Sequence, residues 1–200
     1  MSSQLIINNQ IVDDEWLLIE PPETQEKVKK LAGKVVIFKL TGEASLNEYQ
    51  IKNTKFPEDG KIILPALVFL NHQKDLIQRI SKNEIGIWIE THEEIDSLFE
   101  KIDDINQLPL ISVRVRKFAD GRIFSIGNML RIKYKFRHEL RAIGDVLRDQ
   151  LFFLKRSGFN SFLIREDRDV NDALLGLKDF STPYQGAVDQ KKPAWKIIKR

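Results

Sequence analysis

The chain has 200 residues, 42% hydrophobic and 30% charged, with three histidines and no cysteine. That length suits one globular domain with a small appendage, able to bury roughly 70% of its unfolded surface without disulfide or metal staples. The missing cysteine excludes disulfides, thiol catalysis and cysteine-held zinc or iron–sulfur clusters in this chain, and three histidines argue against a histidine-rich metal site.

The net charge of +3 hides a segregated pattern. Glu84 to Asn106 holds eight acidic residues and one lysine, a net of −7, while Arg114 to Arg141 holds nine Lys or Arg and two acids, a net of +7. The last ten residues add five positive charges and no acid. Such a pattern is either a solvated surface or a field that steers a charged partner. The first ten residues carry no basic region followed by an apolar core, and no run approaches the roughly 18 apolar residues of a membrane span. A cytoplasmic protein without membrane contact is expected.

In chain order, Leu5-Ile6-Ile7, Asn8-Asn9 and Ile11-Val12 read as a hairpin, with Trp16 to Ile19 as a further strand ended by Pro21-Pro22. A short helix is expected over Thr24–Leu31 and a strand over Lys34–Thr41, whereas Gly42 to Asp59 is polar and expected to be loop-like. From Gly60 the rhythm changes. A strand at Ile62–Leu64 ends at Pro65, and a helix carries Leu67, Phe69, Leu70, Leu76, Ile77 and Ile80. Ile85–Ile89 is the next strand. Thr91 with Glu94 reads as a capping box for a helix with Ile95, Leu98, Phe99 and Ile102 on one face.

Leu110–Val115 follows as a strand, then the loop Lys117–Gly121 and a helix with Ile126, Met129 and Leu130. Glu139–Ile143 is a strand ending in Gly144-Asp145. Asp145 is placed to cap a helix of Leu147, Leu151 and Leu154, which Gly158 stops. Phe159–Ile164 is the last strand, and Val170, Ala173, Leu174 and Leu177 line the last helix. The fold class is therefore α/β, with successive β–α units forming a parallel sheet behind a small β-rich N-terminal element. The sheet is either an incomplete β/α barrel or an open doubly wound one, since five units are too few to close an eight-fold barrel. Three segments follow: residues 1–59, the β/α unit 60–185, and a basic tail 186–200.

Both architectures gather chemistry at the C-terminal ends of the strands, where loops and helix N-termini converge. There lie Glu90, Thr91 and His92, then Arg116, Lys117, Asp120, Gly121 and Arg122. Gly144, Asp145, Arg148, Asp149 and Gln150 come next, followed by Arg165, Glu166 and Asp167. Asp120-Gly121-Arg122 hands an arginine to a helix start, a place suited to phosphate, sulfate or carboxylate, with Ser125 as a further donor; it is equally an ordinary Asp-Gly turn. Arg141 alternates with apolar neighbours on a central strand. It either points into a site or makes a structural ion pair with Asp120, Asp145 or Asp149. Asp145 and Asp149 are candidates for acid–base work, or an N-cap with surface charges. His72, His92 and His138 form no triad, and no phosphate-loop, dinucleotide, nucleophile-elbow or zinc-protease motif occurs.

The runs Leu108-Pro-Leu-Ile-Ser-Val, Lys117-Phe-Ala-Asp-Gly-Arg122, Phe124-Ser125 and Leu130-Arg131 form a distinctive set. Glu139 to Leu151, Arg156-Ser-Gly-Phe159, Asp179-Phe-Ser181 and Tyr184-Gln185 extend it. Together these segments resemble the bacterial domain of unknown function 934, over roughly Gly60 to Gln185. Ile123 stands where that family usually has a second glycine, and the basic tail looks like an addition. Members are usually named as oxidoreductases of sulfite reduction. They tend to be encoded beside the assimilatory sulfite (or nitrite) reductase haemoprotein, which implies a place in sulfur assimilation and cysteine biosynthesis.

That reductase works through sirohaem and an iron–sulfur cluster, and a chain without cysteine does not ligate the cluster. The resemblance thus implies an accessory protein that partners the haemoprotein, with no cofactor and no metal of its own. The alternative is a small anion-binding enzyme or oxidoreductase acting on a sulfur-containing or phosphorylated small molecule. Its site would draw on Arg122, Ser125, Arg141, Asp145 and Gln150. Nucleic acid is not an expected partner, because no recognition motif or aromatic platform is present.

Overall fold

The computed structural model describes residues 4–23 and 45–197. The helix expected over Thr24–Leu31 and the strand expected over Lys34–Thr41 lie outside the described residues. At the N-terminus, β1 (Leu5–Ile7) and β2 (Gln10–Val12) pair antiparallel through Asn8 and Asn9, whose φ values of 49° and 65° suit a two-residue hairpin turn. β3 (Leu17–Leu18) follows. Where a loop was expected, α1 (Glu48–Asn53) forms instead. Asn47 accepts from the Gln50 amide and Gln50 Oε1 accepts from the Asn47 amide, so an Asn-x-x-Gln box starts this helix within a polar stretch.

The β–α units are β4 (Ile62–Pro65), α2 (Ala66–His72), α3 (Ile77–Ser81), β5 (Ile85–Glu90) and α4 (Ile95–Phe99), then β6 (Leu110–Val115) and α5 (Arg122–Ile132). β7 (Glu139–Gly144), α6 (Arg148–Arg156), β8 (Ser161–Leu163), α7 (Val170–Gly176) and the single turn α8 (Ala194–Ile197) follow. The one helix expected from Leu67 to Ile80 is two. The run Asn71–Asp75 has no apolar residue to bury, and Asp75 and Leu76 both donate to the His72 carbonyl. Thr91 is not the cap of α4, whose N-cap position is Glu94 without a side-chain bond; the Thr91 hydroxyl is used elsewhere.

Among the described residues, all strands join one eight-stranded sheet in the order β2-β1-β8-β7-β6-β5-β4-β3. From β3 to β8 every pairing is parallel, and β1 runs antiparallel to β8. Strands β4 to β8 lie side by side in sequence order, which excludes the doubly wound sheet, where the order reverses at a switch point.

The curl of the sheet follows from one connection. The two edge strands, β2 and β3, are joined only by Asp13–Trp16. Four residues reach about 18 Å between flanking Cα atoms, whereas seven strand spacings laid flat need about 34 Å. The sheet therefore rolls into a half-barrel, with that linker crossing between its edges.

Side-chain alternation divides the sheet into two faces. Ile62, Leu64, Ile85, Ile87, Ile111, Val113, Leu140 and Phe162 face the helices and share the main core with residues such as Phe69, Leu98, Ile123 and Leu154. Ile63, Trp88, Leu110 and Ile143 form a separate cluster on the inner face, against which Trp16, Leu18 and Leu163 pack. Among the described residues, no helix is long and apolar enough to cross a membrane.

Candidate functional site

The inner face is built in rows by strand register. Trp88, Ser112, Arg141 and Ser161 lie side by side on four adjacent parallel strands. One step nearer the C-terminal edge come Glu90, Arg114 and Ile143. Arg141 is 1% exposed, and its charge is compensated locally. Its Nη1 donates to both Asp14 oxygens at 3.0 and 2.9 Å, and its Nε donates to Glu139 Oε1 at 2.9 Å. Of the two alternatives for Arg141, the structural ion pair is the one formed, but with partners other than those expected. Its ion pairs go to Glu139 and to Asp14 in the crossing linker rather than to Asp120, Asp145 or Asp149. Flanking it, Ser112 Oγ and Ser161 Oγ are buried with no hydrogen-bond partner among the described residues.

Above this row, the Arg114 guanidinium lies 4.0 Å from the Trp88 ring centroid and forks onto both carboxylate oxygens of Glu20. The Trp88 indole donates to the Ile19 carbonyl at 3.0 Å, fixing the same N-terminal segment. Buried Glu90 accepts from Arg116 Nη2 at 2.6 Å and Nε at 3.0 Å, while its own amide donates to Glu93 Oε2 at 2.7 Å. Burial raises the Glu93 carboxyl above its ordinary range, outweighing the lowering effect of that bond.

At the start of α5 the carboxylate of Asp120 is the bound anion. It accepts from Arg122 N (3.1 Å), Arg122 Nε (2.8 Å), Arg122 Nη2 (2.6 Å) and Thr91 Oγ1 (2.5 Å). Chiefly through Arg122, its pKa is held at about 2. A small cavity of about 380 Å³ does bring Arg122 and Ser125 together, yet Glu93, Glu94 and Asp96 line it too. The expected anion position is thus filled by the protein's own carboxylate and walled by three more, a poor setting for a second anion.

The Gly144-Asp145 turn lies on the same edge of the sheet. Gly144 has φ +95°, and the Asp145 amide donates to Val115 O at 2.8 Å. The Asp145 carboxylate accepts from Phe118 N at 2.8 Å and from Arg165 Nη1 at 2.6 Å, and Arg165 holds it below the ordinary carboxylate range. Gln150 Nε2 donates to Phe118 O at 3.0 Å, and Gln150 Oε1 accepts from Leu147 N at 3.2 Å. Phe118 is thus the joint between the two turns. Asp145 does not cap α6, whose N-cap position is Leu147. Its carboxylate serves the neighbouring loop instead.

The structure therefore gathers Asp120, Gly121, Arg122, Gly144, Asp145 and Gln150 at one edge. Arg148 turns to Asp172 at 2.9 Å and Asp149 is exposed, while Asp145 is bound by Phe118 and Arg165. The residues that sequence reasoning missed are Asp14, Glu20, Arg114 and Phe118. The alternation of Ser112 and Arg114 with apolar residues was a usable signal; nothing in the sequence tied Asp14 to Arg141. Among the described residues, no group of three His, Asp or Glu is placed to hold a metal ion.

A sequentially ordered half-barrel with an internally ion-paired C-terminal rim defines the class of protein. Residues 86–195 match the family model described as bacterial protein of unknown function (DUF934), more than half of the chain, and the chain belongs to that family. The match runs past Gln185 to residue 195, so most of the basic tail lies within the family pattern rather than being an addition. No curated protein and no solved structure matches the chain.

Proposed function

We propose that this chain is a cytoplasmic accessory protein of assimilatory sulfite reduction that docks on the sulfite/nitrite reductase haemoprotein and carries no redox centre itself. The observation that supports a docking role over an anion-binding enzyme is the occupation of the α5 start by Asp120. The arginine best placed to grip sulfite or phosphate is already spent on an internal carboxylate. The rest of the rim follows the same pattern, with Arg114 on Glu20, Arg116 on Glu90 and Arg165 on Asp145 and Asp167. Sulfite reduction on sirohaem also needs a cysteine-held cluster, which this sequence does not offer.

A deletion strain grown on sulfate, sulfite or sulfide as sole sulfur source tests the reading, together with gel filtration of the purified chain mixed with the haemoprotein. Growth on sulfide but not on sulfite, and co-elution at low salt that is lost at high salt, are the expected results. Normal growth on sulfite, or separate elution at low salt, overturns the proposal.

A further inference from the structure

The segment that follows α7 carries an unusual surface. Phe180, Tyr184 and Trp195 are 57%, 72% and 57% exposed, and Phe153 on α6 is 51% exposed. They fall into two ring clusters, Phe153 and Phe180 around Phe152, and Tyr184 with Trp195. The Tyr184 and Trp195 rings meet at a tilt with centroids 5.0 Å apart, and Phe180 lies 4.8 Å from Phe152. Phe153 and Gln185 border one open groove of about 750 Å³, floored by Phe124 and Met129. Single exposed apolar residues are ordinary; exposed aromatics clustered along one arm and the helix beneath it mark an interaction surface.

The patch is also built in advance. Arg156 at the end of α6 clamps the arm, donating from Nη2 to the Gln185 carbonyl and lying 3.6 Å from Asp189. Val188 N donates to Arg156 O at 3.1 Å, and Ala194 N to Tyr184 O at 3.1 Å. A surface already ordered loses little conformational freedom on binding. The arm's two acids are both used inward, Asp189 on Arg156 and Asp179 on Arg148 at 3.7 Å. Exposed Lys178, Lys191, Lys192 and Lys196 have no carboxylate partner among the described residues.

Resting on the accessory reading above, we infer that residues 178–197, together with Phe153, form the surface that receives the haemoprotein. The complementary patch on that partner is acidic, with an apolar or aromatic anchor at its centre. Tyr and Trp suit the desolvated middle of such an interface, and lysines suit its steering rim. Single-stranded nucleic acid fits less well, because Tyr184 and Trp195 are tilted at 49° to one another rather than set as parallel stacking platforms, and the local arginine is committed to the arm itself.

The test is binding of the purified haemoprotein to the full chain and to three variants at low salt. Tyr184→Ser with Trp195→Ser is expected to weaken binding by about tenfold or more. Lys191→Glu with Lys192→Glu is expected to slow association and flatten its salt dependence. Lys82→Ala, at the end of α3 and outside residues 178–197, is expected to bind as the parent does. Haemoprotein binding that both double variants retain overturns this surface and leaves the accessory reading standing. No binding by the parent overturns both. Tighter binding of a single-stranded oligonucleotide than of the haemoprotein, lost in the aromatic variant, also overturns the inference.

Discussion

Arg141 on β7 and Asp14 in the linker, 127 positions apart in the chain, meet at 2.9 Å inside the half-barrel. The linker joins the two edge strands directly along the chain, so this pair fastens the crossing that curls the sheet. Arg141→Ala leaves Glu139 and Asp14 without their cation and opens a hole beside Ser112 and Ser161. A loss of about 3–5 kcal/mol in urea unfolding is expected. Asp14→Ala is expected to cost less, because its side chain is 27% exposed. A double-mutant cycle gives their coupling, and strictly additive losses show that the linker is held by something else.

A second prediction concerns Phe118, gripped at both backbone groups by the next loop, its N–H by Asp145 and its C=O by Gln150. Asp145→Ala removes a charge-assisted acceptor and releases Arg165. The Phe118 amide is expected to exchange with solvent at least about tenfold faster, and global stability to fall by about 1–2 kcal/mol. Unchanged exchange at Phe118 means the loop holds its shape without Asp145.

These two contacts mark what was legible in the sequence and what was not. The strands from Ile62 onward were readable, because buried parallel strands are short apolar runs bounded by turn residues, and their spacing left room for one crossover each. The half-barrel was one of two options until strand order was known, since β–α alternation is common to both. The Asp-Gly-Arg and Gly-Asp turns were found because strand C-termini converge. Their internal pairing was not, because a sequence shows which charges a loop carries but not which of them neutralise one another. Arg141 shows the limit most plainly. Its alternation put it on the inner face, but a partner 127 positions away leaves no local trace.

Gly144 supplies a third prediction. Its φ of +95° is left-handed, and an added Cβ would lie well inside contact distance of the Val115 carbonyl oxygen. That oxygen also accepts the Asp145 amide, so the clash cannot relax without breaking the bond that sets the turn. Gly144→Ala is expected to destabilise by about 2–4 kcal/mol in thermal or urea unfolding, while Gly121→Ala, where a Cβ meets nothing within 4 Å and φ is −71°, stays within about 1 kcal/mol. Equal losses at the two glycines count against the special backbone at Gly144.

The last prediction is a pH dependence at Asp120. Its carboxyl is held at about 2 rather than 3.8, chiefly by Arg122, so the folded state binds its proton less readily than the unfolded chain does. The resulting stability is fully present above about pH 4, declines as pH falls towards 2, and is gone below it. A shift of this size sets a ceiling near 2.4 kcal/mol, and the 40% exposure of Arg122 screens part of it, leaving about 1–2 kcal/mol. Asp120→Asn is therefore expected to lower stability by that amount at pH 7, with the two melting curves converging as pH drops to about 2. A gap that stays constant from pH 7 to pH 2 assigns Asp120 a neutral hydrogen-bonding role, with Thr91 as its partner, instead of an ionic one.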